Sequence, residues 1–372
     1  MMNKYIFLLA IALVGLTVGC KESDNDTAEQ QPVTNPTLPD TSDLFFSVQA
    51  TGQTESGHAD TDADAMDDAA IWYNTADPEQ SLILGANKKL GLEVYGLQGT
   101  RLQTDSVGRI NNIDVRDGFD RKGEQIALVG ASNRDNVGID LWMINEQTLQ
   151  AEYLTPGSLP SNLPDVYGFC LYQSQTSNLT YAFINSKSGA VEQWLLTYQN
   201  KKMTATLERT LKLQTQVEGM VADDHYGKLY VGEENKGIFV FDAEPQGSTE
   251  GTFIPLSGSE NPAIRYDVEG LTIYLGENNT GYLIASSQGN NSYAVFDRTG
   301  TNEYLGSFEI SEGTFDGTQE TDGIDVSHHS FGSIYPNGFF IVQDGINTSS
   351  GSKTSQNFKM VDWKVIAEGL QK

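Results

Sequence analysis

The sequence predicts an all-β protein, a six-bladed β-propeller with four-stranded antiparallel blades, and two observations favour this fold class. The first is a unit of strand, turn, strand, polar loop and strand, of which residues 216–242 contain one complete copy. The second is that short strands rich in Gly and Asn fill the chain from about Leu44 to Glu368, with no helical periodicity. The copies lie roughly 45 to 57 residues apart, which is the period of four-stranded propeller blades.

The middle strand and polar loop of this unit recur six times along the chain. The copies begin at Leu82, Ile126, Tyr181, Leu229, Tyr282 and Phe339. Each copy follows a strand that begins with acidic or amide residues, namely Asp67 and Asp68, Asn111 and Asn112, Asp165, Glu218, Asp267 and Glu269, and Asp322. Because the innermost strand of every blade faces the central channel, we expect these side chains to converge at one end of the channel.

The two ends of the predicted domain are expected to close the ring of blades. Residues 357–363 read as a final strand, which would be the last strand of the propeller. Because a closed propeller protects its sheet edges, we expect the segment from Leu44 to Ala50 to pair with a neighbouring blade.

The N-terminus has the features of a bacterial lipoprotein signal peptide. Residues 1–19 contain a single basic residue, Lys4, then an apolar run too short to span a membrane, and Thr17, Val18 and Gly19 before Cys20 resemble a lipobox. The sequence therefore predicts an exported lipoprotein that is lipidated at Cys20 and held at the periplasmic or cell-surface side of a membrane only by this anchor. An uncleaved anchor is the alternative.

Three regions follow from this interpretation. Residues 1–19 are the signal peptide, and residues 20–43 are the lipidated cysteine and a tether. The tether is almost devoid of apolar side chains, so it cannot bury enough surface to fold. Residues 44–372 form the propeller domain.

The formal net charge of −27 is extreme for a chain of 372 residues. Such a field repels nucleic acid and anionic lipid, so neither is an expected partner. It would also repel a polyanionic substrate unless cations intervene. Solubility in an ion-rich medium explains the charge equally well.

The converging carboxylates indicate a divalent metal site. Carboxylates packed this densely cannot all ionise without counter-charge. The chain has only four His, and Cys170, in an apolar strand, is expected to fill the core. The ligand set is therefore oxygen only, which suits Ca²⁺ or Mg²⁺ and argues against zinc.

Basic residues occupy the polar loops of the first three copies, at Lys88, Arg134 and Lys187. A basic wall beside carboxylates that collect divalent metal suits a polyphosphorylated small molecule, since Arg and Lys both bind phosphate. Solvated loop tips are the alternative interpretation. The sequence contains no Gly-rich phosphate loop and no Gly-x-Ser-x-Gly elbow, so nothing favours covalent catalysis.

Short segments spread in order over the predicted domain match one family pattern. They include Met-Asp-Asp-Ala-Ala-Ile-Trp at 66–72, Asp-Val-Glu-Gly-Leu-Thr-Ile-Tyr at 267–274 and Thr-Asp-Gly-Ile-Asp-Val at 321–326, with further matches at 87–89, 111–116, 131–134, 166–169, 286–290, 342–345 and 357–359. In these segments the chain resembles the β-propeller phytases. The resemblance implies a 3-phytase, a phosphoric monoester hydrolase that uses several Ca²⁺ ions to release phosphate from phytate, taken as a calcium complex. We also expect the protein to be a monomer.

The resemblance also implies the site residues. Those implied to bind active-site calcium are Asp67, Glu218, Glu234, Asp267, Glu269 and Asp322. Those implied to bind structural calcium are Asp68 and Asp316. Those implied to bind phosphate are Lys88, Arg134, Tyr167 and Lys187.

With no candidate nucleophile among Ser, Cys or His, we expect a calcium-activated water to attack phosphorus, with Glu218, Lys88 and Arg134 as the catalytic residues. Two other functions stay open. A calcium-stabilised propeller could bind a ligand without catalysis. A calcium-dependent lactonase would use the acidic ring but would not need the basic wall.

Overall fold

The computed structural model describes residues 45–61 and 63–371. They confirm the predicted all-β fold, because one antiparallel sheet forms each of six blades. The innermost strands of successive blades contact one another, and that of the sixth blade contacts that of the first, so the ring is closed. The predicted signal peptide, Cys20 and tether lie outside the described residues. No helix in the described part of the chain is long and apolar enough to cross a membrane.

The strands are numbered in chain order, and within each blade they run from the channel outwards. Before the first blade come β1 (Phe45–Gln49) and β2 (Gly52–Gln53). Blade one contains β3 (Met66–Trp72), β4 (Leu82–Asn87), β5 (Gly91–Gly96) and β6 (Arg101–Asp105). Blade two contains β7 (Ile110–Asp120), β8 (Gln125–Asn133), β9 (Gly138–Asn145), β10 (Gln150–Tyr153) and the short β11 (Leu159–Pro160), which also pairs with β9.

The next three blades follow the same order. Blade three contains β12 (Phe169–Gln173), β13 (Thr180–Asn185), β14 (Ala190–Gln199) and β15 (Lys202–Lys212). Blade four contains β16 (Val217–Asp223), β17 (Lys228–Glu233), β18 (Gly237–Asp242) and β19 (Thr252–Phe253). Blade five contains β20 (Val268–Leu275), β21 (Gly281–Ser287), β22 (Ser292–Asp297) and β23 (Tyr304–Ser311).

Blade six is built from both ends of the domain. Its own strands are β24 (Ile324–Ser327), β25 (Phe339–Asp344) and β28 (Asn357–Asp362), and a small hairpin of β26 (Thr348–Ser349) and β27 (Ser352–Lys353) lies between the last two. The outermost strand is β2, which pairs with β28. Residues Asn357–Asp362 form β28, the last strand of the chain, as predicted, but β28 is third from the channel because β2 of the N-terminal segment covers its edge.

The predicted pairing of the N-terminal segment with a neighbouring blade is confirmed by β1. β1 pairs in parallel with β23, so it adds a fifth strand to blade five. The N-terminal segment thus joins blade five to blade six.

A C-terminal helix, α1 (Trp363–Gly369), was not predicted. Its seven residues are too few to show a 3.6-residue pattern, although Asp362 caps it by accepting a hydrogen bond from Lys364 N. Its aromatic side chain, Trp363, stacks on Tyr274 of β20 with ring centroids 3.9 Å apart. The helix is therefore held by tertiary packing against blade five.

The hydrophobic core lies between neighbouring blades. Trp72 and Leu84 of blade one pack with Val129 and Trp142 of blade two, and similar clusters fill the other blade interfaces. Middle strands such as β4 and β13 are buried on both faces, which explains their uninterrupted apolar runs.

One irregularity of the inner strands determines where the site lies. In blades one, two, four and five the register shifts near the start of the inner strand, so that two residues are left out of the regular pairing. Such bulges re-aim side chains. In blades three and six the equivalent pair stands just before β12 and β24. The first residues of the six pairs, which we call the channel ring, are Asp67, Asn111, Tyr167, Glu218, Glu269 and Asp322.

Candidate active site

The channel ring is a connected network. Asn111, fully buried, donates from Nδ2 to Asp67 Oδ2 and to Glu218 Oε1, each at 2.7 Å. Glu218 also shares hydrogen bonds with Tyr167 and Glu269. Side chains from five blades therefore meet at one end of the channel.

In blades three to six the second residue of the pair is glycine, which lets neighbouring blades approach closely. Gly219 follows Glu218, and a Cβ on it would lie 2.0 Å from the backbone oxygen of Glu269. In the next blade interface, Gly270 N donates to Asp322 O at 2.8 Å. Glycine is required because the neighbouring backbone occupies the space of a side chain.

Three buried carboxylates converge next to the ring centre. Glu218, Glu234 and Glu269 each offer an oxygen, and these oxygens lie within 4.8 Å of one another. Glu234 Oε1 and Glu269 Oε2 are buried without a hydrogen-bond partner. Burial raises the pKa of Glu234 to about 7, opposed by a hydrogen bond from Gln216 and assisted by the charges of the nearby Glu218 and Asp267. Burial, followed by neighbouring carboxylates, also raises the pKa values of Glu218 and Glu269.

Lys88 lies among carboxylates. Its Nζ is 2.7 Å from Asp64 Oδ1, 2.9 Å from Asp67 Oδ1 and 2.9 Å from Asp322 Oδ2. Burial would lower the pKa of Lys88, but Asp67, Asp322 and Asp64 raise it, so the ammonium stays charged. The sequence predicts that Lys88 lies with Arg134 and Lys187 beside the carboxylates. In the structure, Lys88 instead lies among the carboxylates.

The other two cations flank Tyr167. The guanidinium carbon of Arg134 lies 5.5 Å and the ammonium of Lys187 4.1 Å from the centre of its ring. Arg134 also donates from Nη1 to Asn111 Oδ1 at 3.0 Å. Both cations can therefore face an anion bound at the ring without being tied to a carboxylate there.

A cavity with a volume of about 610 Å³ lies at this end of the channel. The remaining predicted calcium ligands of the active site, Asp267 and Asp322, line it together with Glu234 and Glu269. Asp322 accepts a hydrogen bond from Gln288 Nε2 at 2.7 Å through Oδ1. Asp267 accepts from Gln288 N at 3.0 Å through its backbone oxygen. All six acids implied for active-site calcium thus lie at this end of the channel.

Asp68 and Asp316, implied for structural calcium, lie apart from that group. Asp68 accepts from Ile113 N at 3.1 Å, which ties blade one to blade two. Asp316 Oδ1 lies 2.7 Å from the ammonium of the fully buried Lys359, which also contacts Asp344 Oδ2 at 3.0 Å. The single ammonium of Lys359 is thus shared between the carboxylates of Asp316 and Asp344.

Two residues join the site without a prediction of their role from the sequence. The alignment of the repeats places Asn111 at this end of the channel, but its role as the donor that bridges Asp67 and Glu218 was not predicted. Asp64 belongs to an acidic loop that has no equivalent in the other repeats, and only its contact with Lys88 reveals it.

The fold and the site define a β-propeller in which one end of the channel combines a cluster of buried carboxylates with the cationic side chains of Lys88, Arg134 and Lys187. The chain belongs to the phytase family, because the sequence profile of that family, described as Phytase, matches residues 37–372. A curated relative, the 3-phytase of Bacillus subtilis (strain 168), is 42% identical over 328 residues, which are 87% of this chain and 85% of the relative. The protein is therefore an enzyme of this family.

Comparison with solved structures gave two weak matches. The Cps50 (Swd1) β-propeller domain of Myceliophteria thermophila has a TM-score of 0.44 and 10% identity, and covers 80% of this chain and 83% of its own. BBS1N in complex with ARL6DN has a TM-score of 0.44 and 10% identity, with 76% and 75% covered. Neither similarity is high enough for a functional comparison.

Proposed function

We propose that this protein is a calcium-dependent phosphomonoesterase that hydrolyses phytate, myo-inositol hexakisphosphate, to lower inositol phosphates and phosphate. The observation that carries the proposal is the convergence of Glu218, Glu234 and Glu269 beside Arg134 and Lys187 in a chain of the phytase family. Carboxylates alone would repel phytate, and cations alone would not need a cluster of buried acids. The substrate is proposed to bind as a calcium complex.

The residues fit calcium by their chemistry. The converging ligand atoms of the described cluster are carboxylate oxygens, which are the donors that Ca²⁺ prefers. Glu234 Oε1 and Glu269 Oε2 lack hydrogen-bond partners, and a bound cation would stabilise buried oxygens of this kind. We propose Glu218, Glu234, Asp267 and Glu269, together with Asp67 and Asp322, as the residues that hold it.

Calcium at this site would supply a nucleophilic water at neutral pH and neutralise the phosphate charge. Arg134 and Lys187 bind phosphate oxygens and orient the ester for attack. In hydrolysis, the oxygen of a water would form a bond to phosphorus as the bond from phosphorus to the inositol oxygen breaks. Glu218 would accept the proton of the water, and the inositol oxygen would be protonated from solvent.

A side-chain nucleophile is not part of this proposal. Cys170 is fully buried on β12, and burial raises the pKa of its thiol, so little thiolate forms. Direct attack by water inverts the configuration at phosphorus, whereas a phosphoryl-enzyme intermediate retains it. Hydrolysis of a chiral phosphorothioate analogue in labelled water distinguishes the two, and net retention would refute direct attack.

The experiment that tests the function is phosphate release from phytate, with and without Ca²⁺ at constant ionic strength. We expect release only with Ca²⁺, and loss of most activity in Glu218→Gln because an amide neither holds the ion well nor takes the proton. Glu208→Gln, on the exposed face of β15, is the matched control and should behave as the unaltered protein. Release that persists in chelator contradicts calcium dependence. A folded, calcium-binding protein without release would instead be the non-enzymatic propeller, and lactone hydrolysis without release would indicate the lactonase.

We also propose that the protein is an exported lipoprotein, anchored at Cys20, and a monomer. The anchor is supported by the sequence of residues 1–20 alone. Radiolabelled fatty acid should enter the unaltered protein in a bacterial host but not Cys20→Ala. Equal labelling of the two would contradict the anchor.

A further inference from the structure

Asn111 is the one amide side chain of the channel ring. Its Nδ2 donates to Asp67 Oδ2 and to Glu218 Oε1, each at 2.7 Å, and lies 3.0 Å from Asn112 Oδ1. Its Oδ1 accepts from Nη1 of Arg134 at 3.0 Å. One uncharged side chain thus joins two carboxylates to a cation, and hydrogen bonds to charged groups are stronger than those between neutral groups.

The orientation of this amide is determined by the charges around it. Rotation by half a turn would point its oxygen at the carboxylates of Asp67 and Glu218 and its N–H groups at the guanidinium of Arg134. Acceptor would then face acceptor, and donor would face donor. Because Asn111 is fully buried, water does not replace the lost hydrogen bonds. The side chain is therefore held in a single orientation.

Arg134 depends on Asn111 for its own position. Within the described residues, Asn111 Oδ1 is the side-chain oxygen that accepts from its guanidinium, and the ring of Tyr167 provides the other contact. Neither aspartate nor leucine, the side chains of similar size, could replace the amide. An ionised aspartate accepts from Arg134 but donates nothing to the carboxylates, and leucine does neither.

We infer that Asn111 is a positioning residue: it holds the carboxylate of Glu218 and the guanidinium of Arg134 at a fixed separation, so that both face one phosphate group of the substrate. The inference rests on the proposed function for the reaction, in which Glu218 accepts a proton and Arg134 binds phosphate. Asn111 acts only through these two side chains. Its loss should therefore matter only while the residue that it positions is present.

The first test is a double-mutant cycle on the binding of myo-inositol hexakissulfate, an unhydrolysable polyanion, by calorimetry with CaCl₂ at constant ionic strength. We expect Asn111→Ala to weaken binding about tenfold, which is the effect of losing one hydrogen bond to a charged group. In the Arg134→Met background, Asn111→Ala should cause almost no further weakening. A merely structural role would instead weaken binding by the same factor in both backgrounds.

The second test concerns Glu218 and is read from kcat for phytate. Asn111→Ala should lower kcat about tenfold, because Glu218 loses the hydrogen bond that orients it. In the Glu218→Ala background, where no carboxylate remains to be oriented, the same substitution should change kcat little. Phosphate released over long incubations measures the residual activity of these variants.

Asn74→Ala is the matched control. Asn74 is also buried, but it follows β3 at the other end of blade one, where its Oδ1 accepts from Ala76 N and Asp77 N. Its substitution should lower the melting temperature without changing the affinity for the polyanion. Asn111→Ser keeps one donor for the carboxylates and is the second variant if Asn111→Ala does not fold.

Unchanged polyanion affinity in the folded Asn111 variants would overturn the inference. So would a loss of affinity that is equally large with and without Arg134. Failure of the proposed function has a different result, which is no phosphate release from phytate by the unaltered protein with Ca²⁺. The binding cycle with Arg134→Met decides the inference in that case too, since it does not depend on hydrolysis.

Discussion

At the scale of single residues, Tyr167 connects the two kinds of side chain in the site. Its hydroxyl shares a hydrogen bond with Glu218, and its ring lies beneath the cations of Arg134 and Lys187. Burial, then Glu218, Asp67 and Glu269, raise the pKa of Tyr167, so its hydroxyl keeps its proton and acts as a donor. Tyr167 thus orients the carboxyl group of Glu218 and the cationic side chains of Arg134 and Lys187.

Two substitutions of Tyr167 separate the role of its hydroxyl from the role of its ring. Tyr167→Phe keeps the ring for the cations and loses only the hydrogen bond, whereas Tyr167→Leu loses both. We expect kcat/KM for phytate to fall about tenfold further in Tyr167→Leu than in Tyr167→Phe, since a desolvated cation–π contact contributes about 1–2 kcal/mol. Steady-state kinetics measure this, and equal losses in the two variants would show that the ring does not position the cations.

A second prediction concerns pH. His328 lies at the opposite end of the channel, where burial, then His329 and Arg298, lower its pKa from 6.5 to about 4. The unfolded chain takes up this proton at higher pH than the folded chain does. The stability contributed by neutral His328 is therefore complete above pH 6.5 and is lost as the pH falls toward 4.

The measurement is the melting temperature at several pH values between about 4 and about 7. The decrease toward low pH should be smaller in His328→Gln than in the unaltered protein. His225→Gln, at an exposed position, is the control and should leave the decrease unchanged. An identical pH dependence in His328→Gln would show that this histidine does not contribute.

At the scale of elements, polar contacts fix one blade to the next. Arg298, after β22 in blade five, forms two short bonds with Asp223 at the end of β16 in blade four, at 2.6 and 2.7 Å. Both side chains are almost completely buried. Asp223 Oδ1 also accepts from the backbone of His225 and Tyr226, so the pair holds the turn after β16.

Loss of one partner of this pair should be costly. Arg298→Met leaves the charge of Asp223 buried without compensation, and we expect a loss of about 3–5 kcal/mol in the free energy of unfolding. The double variant Arg298→Met with Asp223→Asn removes both charges but keeps the acceptor for the turn, so it should be more stable than the single variant. Urea unfolding measures both, and a double variant that is less stable than Arg298→Met would contradict this account.

The bulges at the starts of the inner strands give a further prediction at this scale. In Gly219→Ala the new Cβ would lie 2.0 Å from a backbone oxygen, so β16 and β20 must separate. We expect a loss of at least about 1–3 kcal/mol in stability, together with loss of calcium binding, because Glu218 moves with the strand. Gly96→Ala on β5 is the control, since its Cβ would meet nothing closer than 3.6 Å. Unchanged calcium binding in Gly219→Ala would show that the bulge does not position the site.

At the scale of the whole molecule, the closed ring couples the site to the stability of the fold. The ligands proposed for calcium come from the innermost strands and adjoining loops of blades that contact in cyclic order. An ion that binds them binds only when the blades are assembled. Calcium binding should therefore stabilise the entire propeller and not one blade.

We expect Ca²⁺ to raise the melting temperature at constant ionic strength. By mass action, a concentration one hundred times the Kd adds about 2.7 kcal/mol of stability for each site. Removal of calcium by a chelator should reverse the rise, and Glu234→Gln with Glu269→Gln should reduce it. A melting curve that is the same with calcium and with chelator would exclude these acids as metal ligands.

Local patterns in the sequence determined the architecture and the acidic character of the site. Alternating strands separated by turns define a blade without reference to the rest of the chain, and their repetition defines the ring. Because equivalent positions of a ring converge, the acidic starts of the inner strands, such as Asp67, Glu218 and Asp322, could be assigned to one end of the channel from their spacing alone.

Only the tertiary structure decided which partner each side chain takes. Lys88 and Asp322 are 234 residues apart in the chain, and no local pattern pairs them. The same holds for Asn111 between Asp67 and Glu218, and for β2, which completes blade six from the other end of the domain. These contacts depend on side-chain direction and on ring closure, which bring distant residues together, whereas the sequence pattern describes only neighbours along the chain.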